Sequence, residues 1–508
     1  MKFRALVAFA LALVLSIPMI AQTTCSNTAN TNTLICTVPQ LFGPKGLALD
    51  NAHHNAHFAG NSESQFRPLN QAIGQELSIL PLGSSGSGTT FRLDSEGHPM
   101  ATEDSLGPIL TERASVIGRK AFALGVAYQF FSFDKIDGIN LHSFPAVLLH
   151  EGSQDLSAIT SPYQNDYITT QNAVHLDLNQ TVLYGVFGLT KHMDASIEVP
   201  IQAVHFRITS AARIVRTQPC EATLNPATGG GDCIGALDKT GAGVCGEFHY
   251  FGDTSSCSRV FTTVTANFPF PGTPNLLGEF PNTTPGPVRS GPPGTDASGI
   301  GDITLRGKYE VLPGEKFVGS VGLAVRFPSG DAENFLGTGA YGVTPFGALT
   351  FAGKFSPHVR FGYEWNSHSV LSGNPLGVNI ETNVAEPTAA SLPPAFLYSG
   401  GVDYRVNKHL TLAGDLIGQR VLSDTHLSLV GIPRLPETDG HTDPKTESLT
   451  SVQSIKSVNG GYNSDAIAVG GKVRLYHELV LTANATIRVD DGGLRANVVP
   501  LVGLSWSR

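Results

Sequence analysis

From Ala121 to the C terminus, apolar and polar positions alternate with a period of two in one segment after another. That spacing sets successive side chains on opposite faces of a β-strand. Residues 302–311 show it most cleanly: Ile303, Leu305, Gly307, Tyr309 and Val311 interleave with Asp302, Thr304, Arg306, Lys308 and Glu310. Residues 121–133 place Phe122, Leu124, Val126, Tyr128 and Phe130 on one face. Residues 173–187 set Val174, Leu176, Leu178, Val182, Tyr184 and Val186 against His175, Asp177, Asn179 and Thr181. Residues 193–203 oppose Ala195, Ile197, Val199 and Ile201 to Asp194, Ser196, Glu198 and Gln202. The same pattern predicts strands at 317–327, 346–355, 358–366, 396–406, 409–420, 465–476 and 479–489. The last segment, 496–506, puts Ala496, Val498, Pro500, Val502, Leu504 and Trp506 on one side and Asn497, Val499, Leu501, Gly503 and Ser505 on the other.

Most of these segments have about ten residues, the length a tilted strand needs to cross the hydrocarbon core of a bilayer. A soluble sandwich also alternates, so the connections decide between the two. They run long and short in turn. The long gaps are 134–172, 204–301, 328–345, 367–395 and 421–464; the short ones are 188–192, 312–316, 356–357, 407–408 and 477–478. Long outer loops alternating with tight periplasmic turns mark a bacterial outer-membrane barrel. An open sheet edge is not tolerated in lipid, so the strand ending on Trp506 is expected to close the barrel on residues 121–133. The fold predicted is all-β: a transmembrane antiparallel β-barrel of twelve strands, or fourteen if the gaps at 134–172 or 204–301 hold two more, for instance Arg259 to Phe268.

The amino terminus agrees with export. Lys2 and Arg4 precede an apolar run from Ala5 to Leu15 and a cleavage region ending near Ala21, a secretory signal peptide over 1–21. No later stretch reaches the ~18 consecutive apolar residues of a transmembrane helix. Charged residues make up 15% of the chain, against about 25% in soluble domains, so much of the surface need not face water. The net charge of −9 is spread out with no basic stripe, which argues against nucleic acid as a partner. Six cysteines stand at Cys25, Cys36, Cys220, Cys233, Cys245 and Cys257. In an oxidising compartment the neighbouring pairs Cys25–Cys36, Cys220–Cys233 and Cys245–Cys257 are candidate disulfides, although six cysteines allow 15 pairings. No histidine stands beside them at ligand spacing, so a metal site is not expected.

Residues 22–120 precede the barrel. Their apolar content, Leu77, Ile79, Leu80 and Leu82 included, exceeds that of a tail. A short helix is expected near Pro68–Leu77, and Gly83-Ser84-Ser85-Gly86-Ser87-Gly88 reads as a flexible tract. A plug inside the barrel or a small periplasmic cap would bury the segment, and the plug is the preferred reading. The domain organisation expected is 1–21 signal peptide, 22–120 plug or periplasmic segment, and 121–508 barrel, with 204–301 its largest loop.

The run Gly299-Ile300-Gly301-Asp302, with Lys308-Tyr309 and then Phe327-Pro328-Ser329-Gly330-Asp331 at the next outer strand end, resembles outer-membrane barrels of the MetA-pathway phenol-degradation family. Those barrels are similar to fatty-acid and toluene transporters of the FadL and TodX type. The resemblance spans residues 295–508 and implies passive uptake of hydrophobic molecules through a plugged barrel. One departure stands out. The transporter type carries an Asn-Pro-Ala motif in its plug, and here the triplet Asn225-Pro226-Ala227 falls in an outer loop.

If the apolar faces meet lipid, the opposite faces line a lumen. Its charged candidates for the solute path are Asp302, Arg306, Lys308, Glu310, Arg326, Arg360, Glu364, Asp403, Arg405, Asp415, Lys472, Arg474 and Arg488, together with Asp177, Asp194 and Glu198. Ion pairing that fills the barrel or holds the plug accounts for most of them; a polar path that selects solutes by charge is the sharper alternative. Lys472, Arg474 and Arg488 on neighbouring strands would form a positive patch suited to a carboxylate-bearing solute.

Other motifs carry less. Gly337-Thr338-Gly339-Ala340-Tyr341-Gly342 matches G-x-G-x-x-G but lies between two strands with no following helix, which excludes a dinucleotide fold. His53, His54 and His57 sit in a polar linker and read as solvated. Tyr309, Phe317, Phe327, Tyr363, Trp365, Phe396, Tyr398 and Trp506 fall near strand ends on the oily face, as interface girdles do.

No catalytic constellation and no cofactor motif stands out. The function expected is a monomeric bacterial outer-membrane channel, inserted by the barrel-assembly machinery, that passes small hydrophobic or amphipathic solutes, aromatic or fatty-acid-like. The alternative is a surface adhesive barrel whose disulfide-braced loop 204–301 binds a partner.

Overall fold

The alternation resolves into one closed antiparallel sheet. The computed structural model describes residues 106–150, 165–215, 296–314, 316–379, 384–435, 448–476 and 478–507. Shorter pieces are described at 33–37, 91–93, 99–101 and 288–290, with the single positions 25, 58, 72, 73 and 76. Twelve long strands form the wall: β1 Phe122–Ile136, β2 Tyr167–Gly188, β3 Met193–Val215, β4 Ile303–Leu312, β5 Phe317–Phe327 and β6 Gly342–Phe351. They continue with β7 Phe355–Asn366, β8 Ala395–Arg405, β9 Leu410–Arg434, β10 Thr450–Tyr476, β11 Leu479–Arg488 and β12 Val498–Ser507. Each pairs with the next, and β12 returns to β1 with Trp506 opposite Leu124 and Leu504 opposite Val126. The closure expected of the terminal strand is therefore present, and it leaves no edge for lipid to meet.

The lipid face is the apolar set of the alternation. Leu124, Val126, Ile197, Ile201, Leu323, Leu416, Val469, Ile487 and Val502 are all exposed, on positions that a water-facing surface would not fill in so continuous a belt. Aromatic rings flank it at both ends. Phe122 packs edge-on against Trp506 at 5.4 Å on the short-turn side, and Tyr363 meets Trp365 and Phe396 at 4.6 and 4.8 Å on the long-loop side.

Four strands run well past the membrane. β2 and β3 have 22 and 23 residues, and β9 and β10 have 25 and 27. The gap expected as a loop over 421–464 is largely the stem of this last hairpin. Its register continues beyond a bulge between Val421 and Asp424 to Arg434 opposite Thr450. Beyond the ends of β1 and β2, the gap 134–172 holds no further wall strand among its described residues; Phe144–Leu149 pairs with the outer end of β2, and Val147 N donates to Ser454 Oγ of β10 at 2.9 Å. Residues 259–268 lie outside the described residues.

One assignment of faces is corrected. In β2 the residues Val174, Leu176, Leu178, Val182, Tyr184 and Val186 point inward and are buried, while Leu183 and Phe187 take the lipid positions. Asp177 therefore faces outward and does not line the lumen. The outer half of β2, with Val174, Leu176 and Leu178, stands above the bilayer, where the outside is water and the inside is packed, so the oily face turns in; lower down, Val186 packs on Ile117 and Ala123.

What it packs against is the chain's own amino-terminal segment. Cys25, Leu34, Ile35, Cys36, Phe58, Ala72 and Ile73 join Phe131, Val174, Leu176, Phe206, Phe335, Leu371 and Leu427 in one buried apolar core at the outer end. Cys25 and Cys36 are disulfide-bonded. Cys25 N donates to Pro375 O at 2.7 Å, and Leu34 N to Asn334 Oδ1 at 3.2 Å, so outer loops clasp the short helix Leu34–Thr37. Ala72 and Ile73, within the stretch expected as a helix, are helical. Cys220, Cys233, Cys245, Cys257, His53, His54, His57, the glycine-serine tract 83–88 and the triplet 225–227 lie outside the described residues.

Candidate functional site

Residues 106–117 run through the lumen as a strap before β1 begins. The Asp415 carboxylate on β9 accepts the backbone N–H groups of Ile109, Leu110 and Thr111 at 3.1, 2.9 and 3.3 Å. Further down the strap, Arg113 pairs with Asp403 at 3.0 Å, Ala114 N donates to Thr350 Oγ1 at 2.9 Å, and Ile117 N to Asp194 at 3.2 Å. A strap without regular structure leaves its backbone donors orphaned, and inward-facing carboxylates and hydroxyls of the wall satisfy them. His358 sits fully buried between Asp415 and Asp403, its two ring nitrogens 2.9 and 3.2 Å from their oxygens.

Glu112 ties the strap to the basic side of the wall. It lies 3.3 Å from Arg306, 3.3 Å from Lys308 and 3.8 Å from Arg360. Glu198 shares Arg306 at 3.4 Å, and Asp194 lies 3.9 Å from Lys308. Toward the outer end, Arg326 forks between Glu364 at 2.8 Å and Asn366 at 2.6 Å, with Asp302 3.8 Å away. Asp302 in turn accepts Gly330 N, Thr338 N and the Thr338 hydroxyl at 3.0, 2.8 and 2.5 Å. The glycine-rich loop at 337–342 thus gives its N–H to a carboxylate of its own chain, which is why it offers no phosphate cradle.

Between this ionic layer and the outer apolar core lies a cavity of about 240 Å³. Arg306, Arg326, Arg360 and Glu364 form its charged side; Leu397, Ile417, Gln419, Ser464 and Val499 are on its neutral and apolar side. The strap contributes Leu110 and the amino-terminal segment Glu76, which lies 3.5 Å from Arg488.

The sequence-predicted residues divide into groups. Asp302, Arg306, Arg326, Arg360, Glu364 and Arg488 meet at the cavity. Lys308, Asp403, Asp415 and Lys472 lie around the strap; Lys308 Nζ also donates to Arg113 O at 3.1 Å. Glu310 sits lower, 3.3 Å from His192 of the β2–β3 turn. Arg405 and Arg474 belong to the periplasmic rim, where their backbone nitrogens donate to Lys354 O and His409 O at 2.8 Å. The positive patch expected of Lys472, Arg474 and Arg488 does not form. Arg488 stands opposite Ala466 and Lys472 opposite Thr482, six residues apart along the strands, or about 20 Å at ~3.3 Å per residue.

Glu112 and Arg113 of the strap and Glu76 before it carry no signal in the sequence, because no periodicity marks these segments. Gln419, Ser464 and His358 are different. They occupy inward positions of the same alternation that identifies Asp415, and only their residue types, outside the Asp, Glu, Lys and Arg set, set them apart.

Solved outer-membrane barrels resemble the chain in architecture. An outer membrane channel from Pseudomonas putida F1 is 12% identical over 78% of this chain and 98% of its own, with a TM-score of 0.35. A Pseudomonas aeruginosa FadL homologue is 8% identical over 76% and 90%, TM-score 0.25. The Pseudomonas putida toluene transporter TodX is 8% identical over 84% and 95%, TM-score 0.22. No curated protein matches the sequence. The membrane assignment rests on the closed register, the apolar belt and the aromatic girdles, which together make this an outer-membrane barrel. Across residues 243–427, from the β3–β4 connection into β9, that barrel matches the model of the family described as "Putative MetA-pathway of phenol degradation".

Proposed function

We propose that this barrel is a plugged channel for the passive entry of small hydrophobic or amphipathic solutes. The observation that carries the reading is a closed lumen holding a cavity between two barriers of the chain's own making: an apolar core at the outer end and a hydrogen-bonded strap below. An open porin needs neither barrier. A purely structural anchor gains nothing from a partly apolar chamber at mid-lumen. Residues 22–120 act as the plug and 121–508 as the barrel, and solute passes by displacing strap contacts rather than by opening a permanent aqueous pore.

Within this reading the charged residues Arg306, Lys308, Arg326, Arg360, Glu364, Asp403 and Asp415 brace the plug. Their contacts are with one another and with residues 109–113. The test is entry of toluene into liposomes carrying the purified full-length protein. The reading expects entry well above that of protein-free liposomes with little leak of a charged dye, and it fails if toluene entry equals the control.

A further inference from the structure

The wall leaves some polar groups in the cavity without partners. Among the described residues, both amide atoms of Gln419, the Ser464 hydroxyl and Gln202 Oε1 are buried and take no hydrogen bond. All three residues line the cavity. Gln419 and Ser464 are register partners on β9 and β10, each 3% exposed, so donor and acceptor groups stand side by side on one wall. Burying such groups unpaired costs free energy that a hydrogen-bonding ligand recovers.

The charged side is largely engaged within the chain. Arg326 is held by Glu364 and Asn366, Arg306 by Glu112 and Glu198, and Arg488 by Glu76. Arg360 lies over the Phe346 ring at 4.7 Å and 3.8 Å from Glu112, with its Nε taking no hydrogen bond. An anionic head group would have to compete with these glutamates for the guanidinium groups. A neutral head that both donates and accepts needs only Gln419 and Ser464. An apolar cavity of ~150 Å³ already accommodates benzene, so about 240 Å³ suits one substituted ring or a short chain.

Resting on the uptake reading above, we propose that the cavity is a selective binding site for a neutral amphiphile of about one ring bearing a hydroxyl or carbonyl group. Gln419 and Ser464 hold the polar head while Leu397, Ile417 and Val499 contact the apolar body. The site selects for an uncharged polar substituent.

The test is isothermal titration of the full-length protein in detergent with benzyl alcohol, toluene and benzoate at pH 7. Benzyl alcohol binds about tenfold more tightly than the other two, the effect of one or two recovered hydrogen bonds. The double variant Gln419→Leu with Ser464→Ala lowers benzyl alcohol to the affinity of toluene and leaves toluene within about twofold. Heat-dependent gel mobility checks that the variant is folded, and if it is not, the ranking of the three probes on the unaltered protein decides alone. Equal binding of benzyl alcohol and toluene, preference for benzoate, or a folded double variant that keeps the preference overturns the proposal. Toluene entry into liposomes separates the two readings: entry without the benzyl alcohol preference removes only this inference, whereas no entry removes the uptake reading itself.

Discussion

Asp415 Oδ2 on β9 accepts the backbone N–H of Leu110 at 2.9 Å, joining residues 305 positions apart and fixing the strap across the lumen. The same oxygen takes the N–H groups of Ile109 and Thr111, and the other carboxylate oxygen faces His358. Asp415→Ala removes all of these contacts and leaves three backbone donors unpaired. With hydrogen bonds to a charged acceptor contributing roughly 1.5–3 kcal/mol each, the strap loosens far more than the wall does. The expected result is frequent ion-conducting openings in planar bilayers where the unaltered protein is quiet, with the heat-dependent gel shift retained.

Asp302 fastens a second moving part, the β5–β6 loop, through Gly330 and Thr338. Thr338→Val deletes only the hydroxyl bond and is expected to cost about 1 kcal/mol. Asp302→Ala also leaves Arg326 beside a lost charge and is expected to cost about 3 kcal/mol or more. Urea unfolding in lipid vesicles, followed by tryptophan fluorescence, ranks the two.

The outer core is pinned by the Cys25–Cys36 disulfide, which closes a sequence separation of 11. Loop-closure entropy gives such a link about 3 kcal/mol. Cys25→Ser with Cys36→Ser is expected to expose the amino-terminal segment to added protease while the barrel core stays resistant. Equal protection in both proteins would contradict the packing of Cys25 and Cys36 against the outer loops.

Asp137, in the turn beyond β1, receives N–H bonds from Leu427 at 2.8 Å and Gly493 at 2.9 Å. Burial pushes its carboxyl above the usual range in spite of those two bonds. The folded protein therefore binds this proton more tightly than the unfolded chain. The associated stability is complete below the unfolded value near 3.9 and is lost as pH rises through the folded value. Asp137→Asn mimics the protonated form, so its stability relative to the unaltered protein improves from pH 4 to pH 7. Thermal unfolding at the two pH values gives the sign.

The wall was legible because a closed barrel writes itself as period-two alternation, and the gaps between segments locate the turns. Twelve strands and the return of Trp506 to β1 follow from that signal. The β2 face misled because alternation reports which side is oily, not which side is lipid. Above the bilayer the oily side is the packed interior where Leu176 and Phe131 meet. The strap was illegible for the opposite reason. Residues 109–113 have no periodicity of their own and take their conformation from Asp415, Asp403 and Lys308 on distant strands. Of the cavity, the charged side could be read from the alternation, while Gln419 and Ser464 become distinctive only when their missing partners are seen.

The most direct measurement is planar-bilayer conductance of the full-length protein beside a chain lacking residues 22–118. The account predicts that the full-length barrel stays closed to ions and that the shortened one gives a stable open pore, since removal empties both the outer core and the strap. A full-length protein that conducts like an open porin, or a shortened barrel that inserts and remains closed, would contradict it.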